Sequence, residues 1–119
     1  MAEKKRKAIP IKVMKGAVIR VSRDVNIVIN RRPRVVPGRI HAFNGQVLTW
    51  WNNWINPIAV AVPFGVDGAP FLLTIAPGGG EPAPGVVDGP RGADIVYFVI
   101  DAVTGRPIHG NSPPEIVIE

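Results

Sequence analysis

Glycine and proline return so often along this chain, thirteen of each in 119 residues, that little room is left between them for a long helix. Proline interrupts a helical ladder and glycine gives up the most backbone entropy in one, so both punctuate the chain. No stretch of ten or more residues carries an apolar stripe at helical spacing. Short segments instead alternate with period two, as half-buried strands do. Val25, Ile27 and Ile29 alternate with Asn26, Val28 and Asn30, and their β-branched side chains favour a pleated surface. Arg31-Arg32-Pro33-Arg34 ends that strand, and Val35 to His41 reads as a bent strand broken at Pro37-Gly38. Asn44-Gly45 is a hairpin-turn signal leading into a strand from Gln46 to Trp51. Further strands are expected at Ile58 to Val62, Phe71 to Ile75, Asp94 to Ile100 and Ile116 to Ile118, with Asp94 to Ile100 the most central. Ala76 to Gly92 is so rich in Gly and Pro that no regular structure is expected there, and Asp101 to Pro114 reads as a long connection. Eight or nine short strands at this spacing predict an all-β sandwich.

The length suits one domain with one core. Residues 1–10 hold a charge run, Pro10 and no face to bury, so they are expected to form a flexible basic arm ahead of a single domain over residues 11–119. Lys12 and Lys15 interrupt any apolar signal-peptide region after Lys4, Lys5, Arg6 and Lys7. No run of about 18 apolar residues exists to span a membrane as a helix, so a cytoplasmic protein is expected. The sequence has no cysteine. That removes disulfides, thiolate nucleophiles and thiolate metal sites from this chain's repertoire.

Several segments occur in a familiar order. Gly45-Gln46-Val47-Leu48-Thr49-Trp50-Trp51-Asn52 is similar to the Gly-Asp-x-Val-x-Trp-x-Asn strand of the cupredoxins, and Pro77-Gly78 to that family's mid-chain turn. Ile95-Val96-Tyr97-Phe98-Val99 resembles its aromatic strand before the metal loop, and Glu115-Ile116-Val117-Ile118 its closing strand. From about Arg34 to the end, the chain therefore resembles a cupredoxin-like domain, which implies a two-sheet Greek-key β-sandwich. A type 1 copper centre needs a Cys thiolate and two imidazoles, usually with an axial thioether. The resemblance would put its first His near Pro57 or Ile58 and its Cys near Ile100 or Asp101. His109 falls in the region of the second ligand loop, but no Met follows it, and Met14 is far away in sequence. The resemblance thus carries over a copper-free scaffold, with no cofactor, no metal and no blue-copper electron transfer expected.

Charge is divided unevenly. Residues 1–39 carry twelve Lys/Arg against Glu3 and Asp24, whereas residues 40–119 carry Arg91 and Arg106 against seven acidic residues. The basic candidates for partner contact are Lys4, Lys5, Arg6, Lys7, Arg31, Arg32, Arg34 and Arg39. The aromatic candidates are Trp50, Trp51 and Trp54, near Phe43 and Phe64. Alternation sends Trp50 and Trp51 to opposite faces, so one is core and the other is either covered by a neighbouring loop or an interface anchor. His41 and His109 have no flanking acidic cluster, which favours surface or hydrogen-bonding roles over a metal site. Ser22 and Ser112 sit in no nucleophile motif, and Gly78-Gly79-Gly80 lacks the Lys-Ser/Thr of a phosphate loop.

These residues predict a non-enzymatic structural or protein–protein interaction module, docking on another protein or on copies of itself as a subunit of a larger assembly. The alternative is a nucleic-acid-associated protein whose arm contacts phosphates without sequence preference. A small-ligand or sugar binder using a Trp-lined surface is a third class.

Overall fold

The computed structural model describes residues 24–63, 70–110 and 112–119, and all of its regular structure there is β. Ten strands follow one another: β1 Asp24–Ile29, β2 Val35–Val36, β3 Arg39–Ala42, β4 Val47–Asn52 and β5 Ile58–Val62. They continue with β6 Phe71–Ile75, β7 Gly80–Val86, β8 Asp94–Val96, β9 Phe98–Asp101 and β10 Glu115–Ile118. One layer has the order β2-β1-β4-β7, in which β1 runs parallel to β4. The second is made of β3-β10-β8 and β6-β5-β9, joined because β8 and β9 are one run of chain interrupted at Tyr97. This is the two-sheet sandwich the sequence predicts.

The core lies between the layers and follows from the alternation. Ile27, Ile29, Leu48 and Trp50 face inward from the first layer, and Ile58, Val60, Ile95, Tyr97, Val99, Ile116 and Ile118 from the second. At its centre the Trp50 ring meets Tyr97 nearly edge-on at 5.6 Å, and its indole Nε1–H donates to the Tyr97 hydroxyl at 3.2 Å. Burying these side chains supplies most of the driving force, each large one contributing about 1.5–3 kcal/mol.

Four sequence expectations change. Asn44-Gly45 does form a turn, with Gly45 in the left-handed region at φ 93°, but no hairpin. β3 pairs with β10 and β4 with β1 and β7, so this turn passes the chain from one layer to the other. The stretch from Ala76 to Gly92 is not irregular throughout, since Gly80–Val86 forms β7 at the edge of the first layer. An edge strand needs inter-strand bonds on one side only, which is why Pro82 and Pro84 are tolerated there. The expected single strand Asp94 to Ile100 is divided at Tyr97, whose backbone N–H donates to the Pro114 carbonyl at 3.0 Å rather than to a ladder. With β7 and the division of the Val35 to His41 stretch into β2 and β3, this split brings the described strands to ten, against the eight or nine expected. The bend expected at Pro37-Gly38 is present, and it carries the chain from the first layer at β2 to the second at β3.

The strand directions define two ends. At one, the loop end, the end of β4 meets the start of β5 and the end of β6, because Asn52 Nδ2 donates to the Asn56 and Ile75 carbonyls at 2.9 and 3.1 Å. The end of β1 joins them through the Asn53 N–H on the Ile29 carbonyl. The opposite end gathers the starts of β1, β4 and β8 and the ends of β5 and β10.

Candidate interaction surface at the loop end

The loop end is organised by one carboxylate. Asp101 closes β9 and is 4% exposed, at the position where the resemblance would place a thiolate ligand. Its Oδ2 accepts from Trp54 Nε1 at 2.8 Å and Asn56 Nδ2 at 2.9 Å. Its Oδ1 accepts from the backbone N–H groups of Val103 and Thr104 at 2.8 and 3.1 Å. Four donors occupy the roughly four lone-pair directions of a carboxylate. They hold Asp101 ionised well below the usual carboxylate range, the Trp54 hydrogen bond first and the Asn56 bond next, against an opposing contribution from burial.

A copper centre of the type 1 kind does not fit here. Asp101 has no lone pair free for a cation, Pro57 and Ile58 offer no side-chain donor, and the sequence has no cysteine. Among the described residues no three His, Asp or Glu side chains gather as a metal site. His41 and His109 are not partners: His41 Nδ1 contacts Glu119 Oε2 at the opposite end, while the His109 carbonyl accepts from Val35 N–H.

Trp54 is half-buried and lies between two grooves. One, of about 540 Å³, is lined by Asn30, Arg31, Asn53 and Gly78; the other, of about 590 Å³, by Pro33, Thr104, Arg106 and Ile108. Asn30 shapes the neighbouring turn, its Oδ1 accepting from the N–H groups of Arg32 and Arg34 at 3.1 and 2.9 Å, so that Arg31, Arg32 and Arg34 all project to solvent. The guanidinium groups of Arg31, Arg32 and Arg106 have no partner among the described residues. Arg106 was missed by the sequence reading because it stands 72 positions beyond Arg34 and only the fold brings it to the same end.

The other candidates are dispersed. Arg39 lies on β3 beside Glu115, at 3.8 Å, and shares a separate groove with Arg34. Trp50 is fully buried, so it is a core residue and cannot contact a partner. Trp51 is 43% exposed on the outer face of the first layer, away from Trp54. Among the described residues no loop covers it: its indole lies across Gly80 of β7, where a Cβ would come within 2.4 Å of the ring, and its Nε1–H donates to Asn26 Oδ1 at 2.9 Å. Lys4, Lys5, Arg6, Lys7 and the expected arm lie outside the described residues, as do Met14, Ser22 and Phe64.

Comparison with known proteins gives the fold. The chain is similar to a reduced, Cu(I) form of an amicyanin variant, with 15% identity over 91% of this chain and 87% of that one, at a TM-score of 0.60. It matches an oxidised amicyanin variant at 17% identity over 82% and 83% of the two chains, with a TM-score of 0.58. A purple cupredoxin from Nitrosopumilus maritimus aligns at 17% identity over 81% of this chain and all of that one, at 0.53. No protein-family model matches the sequence, and no curated protein does. The domain is therefore cupredoxin-like in fold, at identities too low to carry a function with them.

Proposed function

We propose that this cupredoxin-like sandwich, lacking the type 1 ligand set, is a non-enzymatic protein–protein interaction module. Its docking surface is the loop end, where Arg31 and Arg106 line the grooves on either side of Trp54 and Arg32 stands beside Arg31 on the same turn. The observation that carries the reading is the unbalanced charge there. Among the described residues the one acidic side chain of that cluster, Asp101, has both oxygens committed to internal donors, leaving the guanidinium groups to seek carboxylates elsewhere. Arg matches carboxylates with two parallel hydrogen bonds, and Trp and Arg are both enriched at binding hot spots.

The acidic surface nearest to hand is on another copy. Asp88, Asp94 and Glu119 are all at the opposite end, where Gly45 N–H bonds the Val87 carbonyl, Gly92 N–H the Ile118 carbonyl and Glu119 N–H the Ala42 carbonyl. A basic end on an acidic end is a heterologous contact, which closes into a ring or continues as a filament. Complementary charge of this kind speeds association and fixes orientation.

Charge reversal tests this. Arg31→Glu with Arg32→Glu disables the loop end, and Asp88→Lys with Asp94→Lys disables the opposite end. Neither double variant should form long assemblies alone, and mixing the two should restore a discrete species through the two intact ends. Assembly unaffected by either pair contradicts the reading. Binding to an arbitrary DNA duplex that falls steeply with salt, and that the Arg pair abolishes, would assign the same surface to phosphates instead.

A further inference from the structure

Of the three tryptophans, Trp51 serves neither the core nor the loop end. Alternation turns it outward from β4 together with Thr49, on the side of the first layer to which Asn26 and Val28 of β1 also point. Trp51 stands in register with Val28 on one neighbouring strand and Gly80 on the other, and Thr49 with Asn26 and Pro82. The indole reaches both neighbours. Its benzo ring lies over Gly80, where no Cβ intervenes, and its Nε1–H donates to Asn26 Oδ1 at 2.9 Å. A ring anchored on the strands at either side of its own lies flat on the sheet. One of its faces is spent on that contact, and the 43% exposure that remains belongs to the other.

Hydrogen-bonding capacity borders this open ring. Only oxygen can accept from an indole N–H, so the Asn26 amide is held with its Nδ2 donors left over, and these have no partner among the described residues. The Thr49 hydroxyl has none there either. Val36, in register with Val28, carries the apolar row on to the strand at the sheet edge. None of these residues is charged.

We propose that Trp51, Asn26 and Thr49 form a binding site for a neutral carbohydrate, with one pyranose ring stacked on the indole. The C–H bonds on the face of a pyranose carry partial positive charge from the attached oxygens, and an aromatic face is the negative part of its quadrupole. The hydroxyls of the same sugar lie at its rim, where the Asn26 amide and the Thr49 hydroxyl can meet them. A ring already held flat also loses little freedom on binding. Charge selects among the ligands that stack. Nucleobases stack on tryptophan too, but sites for a nucleic-acid strand add a cationic groove, and none of the outward residues named is Lys or Arg. An apolar protein face would strand the Asn26 and Thr49 groups without partners. The site shares no residue with the loop end, so the two readings stand or fall separately.

Heteronuclear NMR of the full-length chain tests it, because the three indole N–H groups report on three places: Trp50 on the core, Trp54 on the loop end and Trp51 on the outer face. Cellohexaose, maltohexaose and chitohexaose are each titrated to about 10 mM, ten times a Kd of about 1 mM. At least one of them should shift the Trp51 indole and the Asn26 side-chain amide and leave Trp50 and Trp54 still. Trp51→Ala should weaken that binding about tenfold or more. Thr49→Val, which keeps the shape of the side chain, should weaken it about three- to tenfold at unchanged Tm. No shift at Trp51 with any of the three sugars overturns the proposal, as does a shift confined to Trp54 or an affinity that Thr49→Val leaves unchanged. A Trp51 response to an oligo-thymidine strand in place of the sugars would overturn it and assign the ring to nucleobases. Movement of the Trp51 signal on dilution of the sugar-free protein would overturn it by placing a second copy on that face.

Discussion

Two tryptophan side chains four residues apart do opposite jobs with the same indole N–H. Trp50 donates to the Tyr97 hydroxyl inside a fully buried pair, whereas Trp54 donates to the Asp101 carboxylate at the rim. In the core the acceptor is neutral, and burial pushes the Tyr97 phenol far above its ordinary value, the Trp50 hydrogen bond opposing only in part. At the loop end the acceptor is charged and four donors keep it so. The contrast shows how the scaffold separates stability from recognition. Among the described residues the core between the layers holds no ionised side chain, while the loop end commits its one buried carboxylate, Asp101, to internal donors and presents arginine outward.

Substitutions can break that contrast. The largest effect is expected in the core: Trp50→Ala should cost about 3–5 kcal/mol, read as a fall in the urea midpoint. Tyr97→Phe removes the acceptor and strands a buried indole N–H, a loss of about 1–3 kcal/mol by the same measurement. At the rim, Asp101→Asn should loosen residues 101–104, seen as faster amide exchange at Val103 and Thr104, with the Trp50 region unaffected. Because the folded Asp101 carboxyl lies below its unfolded value of about 3.9, its contribution is present above that pH and is lost as pH falls further. Wild-type stability should therefore drop on acidification below the carboxylate range, and Asp101→Asn should flatten that limb. An unchanged limb would mean that Asp101 is not the group held ionised. The smallest stability effect is expected at Arg31→Glu/Arg32→Glu, within about 0.5 kcal/mol, although association should be lost. A large Tm change there would mean the arginines hold the fold.

How far the sequence revealed this architecture depended on the range of the interactions. Strands whose neighbours alternate cleanly, such as Ile58–Val62 and Phe71–Ile75, were legible because period two is a local signal. β7 was hidden by Pro82 and Pro84, whose cost depends on lying at a sheet edge, which no local pattern reports. The division at Tyr97 was hidden for the same reason, since the Pro114 carbonyl that takes its N–H is distant in sequence. At the loop end the arginine cluster was visible as composition, but its centre was not: Trp54 and Asn56 reach Asp101 across more than forty residues. One local clue did exist. Asp101 followed by Ala-Val-Thr-Gly is the pattern of an aspartate that caps its own turn, and the Val103 and Thr104 N–H groups bear that out.

The central claim, that the loop end docks on an acidic protein surface, is tested most directly by solution mass from light scattering at low and high salt, with absorbance followed at 260 and 280 nm. The account predicts an assembly larger than one chain at low salt, free of nucleic acid, that dissociates as salt screens the arginines. A monomer at both salt concentrations that copurifies with nucleic acid would contradict it.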